Sequence, residues 1–166
     1  RTGKTVLFTF APDESSRRYI PLSDTNPQHL PQSLADAIIA TSDPNFYNHS
    51  GYDLATITNY QLHNTLAQKL VSELLLFNEP PSLRRALRER ILAAQITSQF
   101  GRAQILEWYL NSAHFGRYAF GAESAAQLYF GKSATQLSTA ESAIRAAVSD
   151  SPSLNPHDAP QIAIER

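Results

Sequence analysis

Cysteine and methionine are both absent from this chain. Without thiols there can be no disulfides and no cysteine-bound zinc. That composition fits an extracytoplasmic protein, and many cytosolic domains share it. With no methionine even at position 1, the chain reads as a piece of a longer protein, and a signal peptide or membrane anchor can have gone with the missing part. No run of ~18 apolar residues occurs, so nothing here reads as a bilayer span. An excess of one charge is missing too: 14 Lys and Arg face 15 Asp and Glu, a net charge of −1. No basic field therefore advertises nucleic acid. The densest charge run, RRALRER (Arg84 to Arg90), reads as a solvated helix face.

The 166 residues, 42% apolar, suit a single domain (1–166), since a chain of this size buries roughly two-thirds of its unfolded surface. Prolines divide it, at 12, 21, 27, 31 and 44, then at 80 and 81, then at 152, 156 and 160. The first 25 residues read as a β or extended segment. In it β-branched and aromatic Thr5 to Phe10 can pair with Arg18 to Leu22. From Pro31 the helical period takes over, with Leu34, Ala37, Ile38 and Ile39 as an apolar stripe. Asp53 is expected to cap a long second helix carrying Leu54, Ile57, Leu62, Leu66, Leu70 and Leu74. Ser82 caps a third, whose Leu83, Leu87, Ile91 and Ala94 are expected inside with the arginines outside. Gly101 breaks that helix, and Ile105 to Asn111 resumes it. Ser138 and Glu141 form a capping box that opens a last helix, ending before Pro152. The expected fold class is mainly α, with a small N-terminal β element and helix across residues 31–148 except at breaks 44–52, 78–81 and 112–121.

Carboxylates are the plausible catalytic groups. Asp53 and Glu141 are explained by caps, and Glu107 reads as exposed. Asp43 ends the first helix beside a proline turn, a common setting for acid–base groups. Glu89 stands four residues after Arg85, which by spacing alone reads as a surface ion pair. Histidines 49, 63, 114 and 157 show no metal-ligand spacing. No phosphate loop or nucleophile elbow is visible.

SDPNFYNHSG (Ser42 to Gly51) resembles the E-D-x-x-F-x-x-H-x-G signature of family 51 glycosyltransferases, the peptidoglycan polymerase domains of bifunctional penicillin-binding proteins. Asp43, Phe46, His49 and Gly51 match it, and Ser42 takes the place of its first glutamate. Ile105 to Ala143 is similar to the family's second long signature, SPSLNP (Ser151 to Pro156) to the proline turn after it, and the likeness begins near residue 19. It implies a lysozyme-like helical domain on the extracytoplasmic face of the bacterial cytoplasmic membrane. Relatives join lipid II into glycan strands, and the implied partners are lipid II or glycan, the membrane surface and other wall-synthesis proteins.

In the family the first glutamate is the general base. A second, in R-K-x-x-E, works with cations and often a divalent metal at the donor pyrophosphate. Arg85 and Glu89 match that second motif, and Ala86 replaces its lysine. Of the phosphate-binding stretch S-T-I-T-Q-Q-L-x-K-N, Thr65, Gln68 and Leu70 remain; Asn64, Ala67, Lys69, Ser72 and Glu73 depart from it. The glycine-rich loop before it is missing. The resemblance thus implies the family fold with weakened chemistry, a domain that binds lipid-linked glycan as a pseudoenzyme would. The rival expectations are an active polymerase using Asp43 as base and a lysozyme-like glycan hydrolase.

Overall fold

The computed structural model describes residues 18–55, 57–59, 62–116 and 119–143. These form a mainly helical domain: α1 (Gln32–Ser42), α2 (Leu66–Leu74), α3 (Leu83–Ser112) and α4 (Gly121–Phe130), then a 3₁₀ turn at Ala134–Gln136. Among the described residues there is no sheet, only an isolated antiparallel bridge between His114 and Phe120. The suggested strand at Thr5 to Phe10 lies outside the described residues. Its suggested partner, Arg18 to Leu22, is not a strand. Side chains of α3 take over the role of a neighbouring strand there: Asn111 accepts from Ile20 N at 2.9 Å and donates to Ile20 O at 2.9 Å, while Glu107 accepts from Leu22 N at 2.8 Å. Glu107 is therefore a clamp for the incoming chain rather than an idle surface acid.

The larger core joins Leu34 and Ile38 of α1 and Phe46 to Leu106, Tyr109 and Leu110 of α3 and the alanine face of α4. A smaller core joins Leu70 and Val71 of α2 to Ala93 and Ile105 of α3. Successive α2 residues enter both, Leu66 the first and Ala67 the second, so α2 is wedged between them. Each large side chain so buried contributes about 1.5–3 kcal/mol.

Residues 131–138, expected as helix, hold only the 3₁₀ turn, and two larger expectations fail as well. The second helix does not begin at Asp53. Thr65 caps it, accepting from Gln68 N at 3.1 Å, and residues 53–64 are loop where described. Asp53 instead closes that loop, accepting from Ala55 N at 2.8 Å and Asn64 Nδ2 at 2.6 Å. Its side chain satisfies loop backbone in the way that lets Asp compete with helix formation.

The first half of α3 is turned over. Leu83, Leu87 and Ile91 are exposed, whereas Arg85, Ala86, Glu89, Arg90 and Ala93 are buried. The reason is polar rather than apolar: Glu89 brings enough donors around it to be satisfied inside. Gly101 breaks the helical dihedrals as expected, with φ 77° and ψ 166°, a conformation costly for any residue with a Cβ. The Ser138–Glu141 capping box forms, with Glu141 Oε2 2.7 Å from Ser138 N. Residues 139–143 after it are helical, and the expected remainder of the helix, up to Pro152, falls outside the described residues.

Candidate functional site

The SDPNFYNHSG segment is held from behind by α3. Arg102 Nε donates to Phe46 O at 3.0 Å and Arg102 Nη2 to His49 O at 2.5 Å. Gly51 sits against Thr97, where a Cβ would lie 2.1 Å from Oγ1, and has φ 90°, so only glycine lets the loop close here. Phe46 is buried in the larger core, edge-on to Tyr47 and His49. It anchors the loop and does not line a binding surface.

In front of this segment lies a cavity of about 760 Å³, lined by residues that include Ser42, Asp43, His49, Asp53, His63, Thr65, Lys69, Glu73 and His114. Ser42 and Asp43 stand together at the end of α1. Asp43 is buried and fully engaged: His49 Nε2 lies 2.9 and 3.1 Å from its two oxygens, and Leu66 N donates to Oδ2 at 3.0 Å. His49 Nδ1 accepts from Gly51 N at 2.9 Å, so the proton sits on Nε2 and both ring nitrogens are committed. The Ser42 hydroxyl, on a residue only 7% exposed, has no hydrogen-bond partner among the described residues. An unmet buried hydroxyl costs about 1–3 kcal/mol, so a polar group entering the cavity would find it ready.

Thr65 and Glu89 belong to different layers. Thr65 lines the cavity, but its hydroxyl is used by the fold, donating to Gly51 O at 2.7 Å while it caps α2. Gln68 is fully buried: Oε1 accepts from Asp53 N at 2.9 Å and Nε2 donates to Glu89 Oε1 at 2.9 Å. Glu89, 1% exposed, is not part of the cavity lining; Arg85 Nη1 lies 3.4 Å and His63 Nδ1 2.9 Å from its Oε2. Arg85 also donates to Ser72 Oγ at 2.7 Å, and Ser72 in turn meets His63 Nε2 at 3.2 Å. Arg85 and Glu89 are thus a buried pair in a polar network, not the surface pair that spacing suggested. Arg85 Nε and His63 Nδ1 find no hydrogen-bond partner among the described residues.

His63, Ser72 and Gln68 are the parts that sequence reasoning did not assemble. His63 is 26 residues from Glu89 in a loop, and no periodicity links them. A divalent cation does not suit Glu89 as it stands, since one amide donor, a guanidinium and an imidazole already surround it. Among the described residues no group of three His, Asp or Glu side chains is placed to hold a metal.

Two cavity carboxyls are perturbed in opposite directions. Asp53 is held below its ordinary value, first by the Ala55 amide, then by Asn64 and by the charges of Arg90 and His49. Glu73, on the last turn of α2, is pushed up by desolvation, against the opposing charges of Lys69 and His63.

A helical domain with this loop and cavity agrees with what family comparison finds. Residues 4–166 match the model of the Transglycosylase family, and the chain belongs to that family. It is 43% identical over 155 residues to penicillin-binding protein 1A of Rickettsia felis, covering 84% of this chain and 19% of that protein. It is 38% identical over 149 residues to penicillin-binding protein 1A of Aquifex aeolicus, covering 82% and 20%. Penicillin-binding protein 2D of Bacillus subtilis is 32% identical over 148 residues, again covering 82% and 20%. The chain spans about a fifth of the length of these relatives.

Proposed function

We propose that this domain holds lipid II or a growing glycan strand in the 760 Å³ cavity and polymerises it slowly, as an impaired peptidoglycan glycosyltransferase of the cell envelope. The observation that carries this reading is the pairing of Ser42 and Asp43. The base position holds a hydroxyl that cannot accept a proton at neutral pH, and the adjacent carboxylate is tied to His49 and Leu66. A positioned general base is worth ~10²–10⁴ in rate, and its loss sets the scale of the impairment. For Asp43 to act instead, it would have to give up hydrogen bonds that hold the start of α2. A glycan hydrolase has only fold kinship behind it.

The finer parts of the reading are the membrane and the outer face of the envelope. Just where α2 ends, Leu75 is 57% exposed and Phe77 69%, with buried Leu76 between them. Leu83, Leu87 and Ile91 add an apolar outer face to α3. Such exposure suits contact with a lipid surface that carries a lipid-linked substrate. No helix of the described residues is long and apolar enough to cross a membrane.

The deciding experiment measures binding and polymerisation of lipid II by the purified full-length protein. Binding with polymerisation at least ~10²-fold below a relative that has the glutamate is expected. Polymerisation at the relative's rate, abolished by Asp43→Asn and untouched by Ser42→Ala, would make Asp43 the base. Absence of lipid II binding would remove the proposal.

A further inference from the structure

With Ser42 unable to accept a proton and Asp43 engaged, the remaining acid–base groups of the cavity can be taken in turn. Asp53 is bound by Ala55 N and Asn64 Nδ2. Both nitrogens of His49 are committed, to Asp43 and Gly51. His63 is in contact with Glu89 through one nitrogen and Ser72 through the other. His114 is part of the bridge to Phe120 and lies ring to ring with it. Glu89 lies outside the lining altogether.

Glu73 is different. Thr65, Lys69 and Glu73 recur every four residues, which puts them along one face of α2, and all three line the cavity. The opposite residues, Leu66, Ala67, Leu70 and Val71, are packed in the two cores, so this polar face is fixed toward the cavity by apolar burial behind it. Glu73 is exposed, and among the described residues its carboxylate accepts no hydrogen bond and makes no ion pair. It is the cavity carboxylate that the fold does not use.

We propose that Glu73 takes the proton from the acceptor hydroxyl in the slow transfer this cavity carries out. The inference rests on the polymerase reading above. As the acceptor oxygen bonds to the donor's anomeric carbon, its proton passes to the Glu73 carboxylate. The bond from that carbon to the pyrophosphate oxygen breaks, and the electron pair leaves with the pyrophosphate. Solvent reaches Glu73, yet enough protein surrounds its carboxyl at the cavity edge for desolvation to raise its proton affinity above an ordinary glutamate's, against the opposing charges of Lys69 on its own helix and His63 on the preceding loop. Asp43, His49, Tyr52, Asp53 and His114 are the other titratable groups around the cavity.

The test compares the full-length protein with Glu73→Gln, measuring lipid II binding and residual polymerisation across pH. Because Glu73 is solvent-accessible and makes no hydrogen bond or ion pair among the described residues, the substitution should leave the fold and the binding intact. Polymerisation should fall at least ~10²-fold, the low end for a lost general base. The unmodified protein should show a rate that rises with pH through a value above the ordinary glutamate range, and that rise should vanish in the variant. Polymerisation by Glu73→Gln at the unmodified rate, or an unmodified protein with none, overturns the assignment of Glu73 while lipid II binding persists. Loss of lipid II binding in the unmodified protein overturns the polymerase reading itself, and this inference with it.

Discussion

The two halves of α3 obey opposite rules. After Gly101, Ile105, Leu106, Tyr109 and Leu110 are buried and the helix is an ordinary amphipathic one. Before Gly101 the leucines and Ile91 face out, and Arg85, Glu89 and Arg90 face in. The second half is held mainly by apolar burial, with Arg102, Glu107 and Asn111 adding hydrogen bonds to neighbouring backbone. The first half is held by a polar network in which Glu89 is met by Gln68, Arg85 and His63, and Arg90 Nε donates to Asp53 O at 2.7 Å. A helix with its charges inside and its leucines outside is held by partners for those charges rather than by apolar packing, and the network reaches the cavity through His63, which lines it.

Glu89→Ala should have the largest effect, since it strands buried Arg85 without its partner. Breaking a buried pair from one side costs about 3–5 kcal/mol, readable as a shift in urea midpoint. Leu110→Ala, in the fully buried second half, should cost about 2–5 kcal/mol. If Leu110→Ala were the costlier by a wide margin, the first half would be a loosely held surface helix and the contrast would fail.

Ala86→Lys comes next. It restores the family's lysine, but Ala86 is only 2% exposed and its carbonyl accepts from Arg90 Nη1 at 3.0 Å. A long cation forced in there should cost about 1–3 kcal/mol by overpacking and should not raise activity. Leu87→Ser, on the exposed face, should change stability by no more than about 0.5 kcal/mol while weakening retention on anionic lipid vesicles in a flotation assay. Full burial behaviour at that position, a loss of several kcal/mol, would reverse the assignment of faces.

The smallest effect concerns Asp53. Its folded carboxyl titrates below its unfolded value, so the stability it contributes is complete above the ordinary aspartate range and is lost as pH falls through the folded value. Melting curves of Asp53→Asn and the unmodified protein should therefore differ at neutral pH and converge in acid.

Much of this was legible in the sequence, for reasons that can be named. α1, Gly101 and the Ser138–Glu141 box follow local rules of periodicity, backbone freedom and capping, and all appear where those rules put them. The SDPNFYNHSG loop was recognisable because its family likeness depends on Phe46, His49 and Gly51, which serve the fold. The first half of α3 was misjudged because hydrophobicity predicts burial only where charges lack partners. Arg85 and Glu89 find theirs in Ser72, Gln68 and His63, which sequence distance hides. Asp53 was misjudged because the same side chain that caps a helix can close a loop.

The central claim is that Ser42 marks a vacated base in an otherwise intact glycosyltransferase scaffold. Its most direct test is the rate of lipid II polymerisation by Ser42→Glu beside the unmodified full-length protein, with lipid II binding measured on both. The account predicts equal binding and a gain of at least about tenfold, short of the full ~10²–10⁴ worth of a general base because Asn64, Ala67, Lys69, Ser72 and Glu73 still depart from the family's phosphate-binding stretch. An unchanged or lower rate in Ser42→Glu, with binding intact, would contradict it.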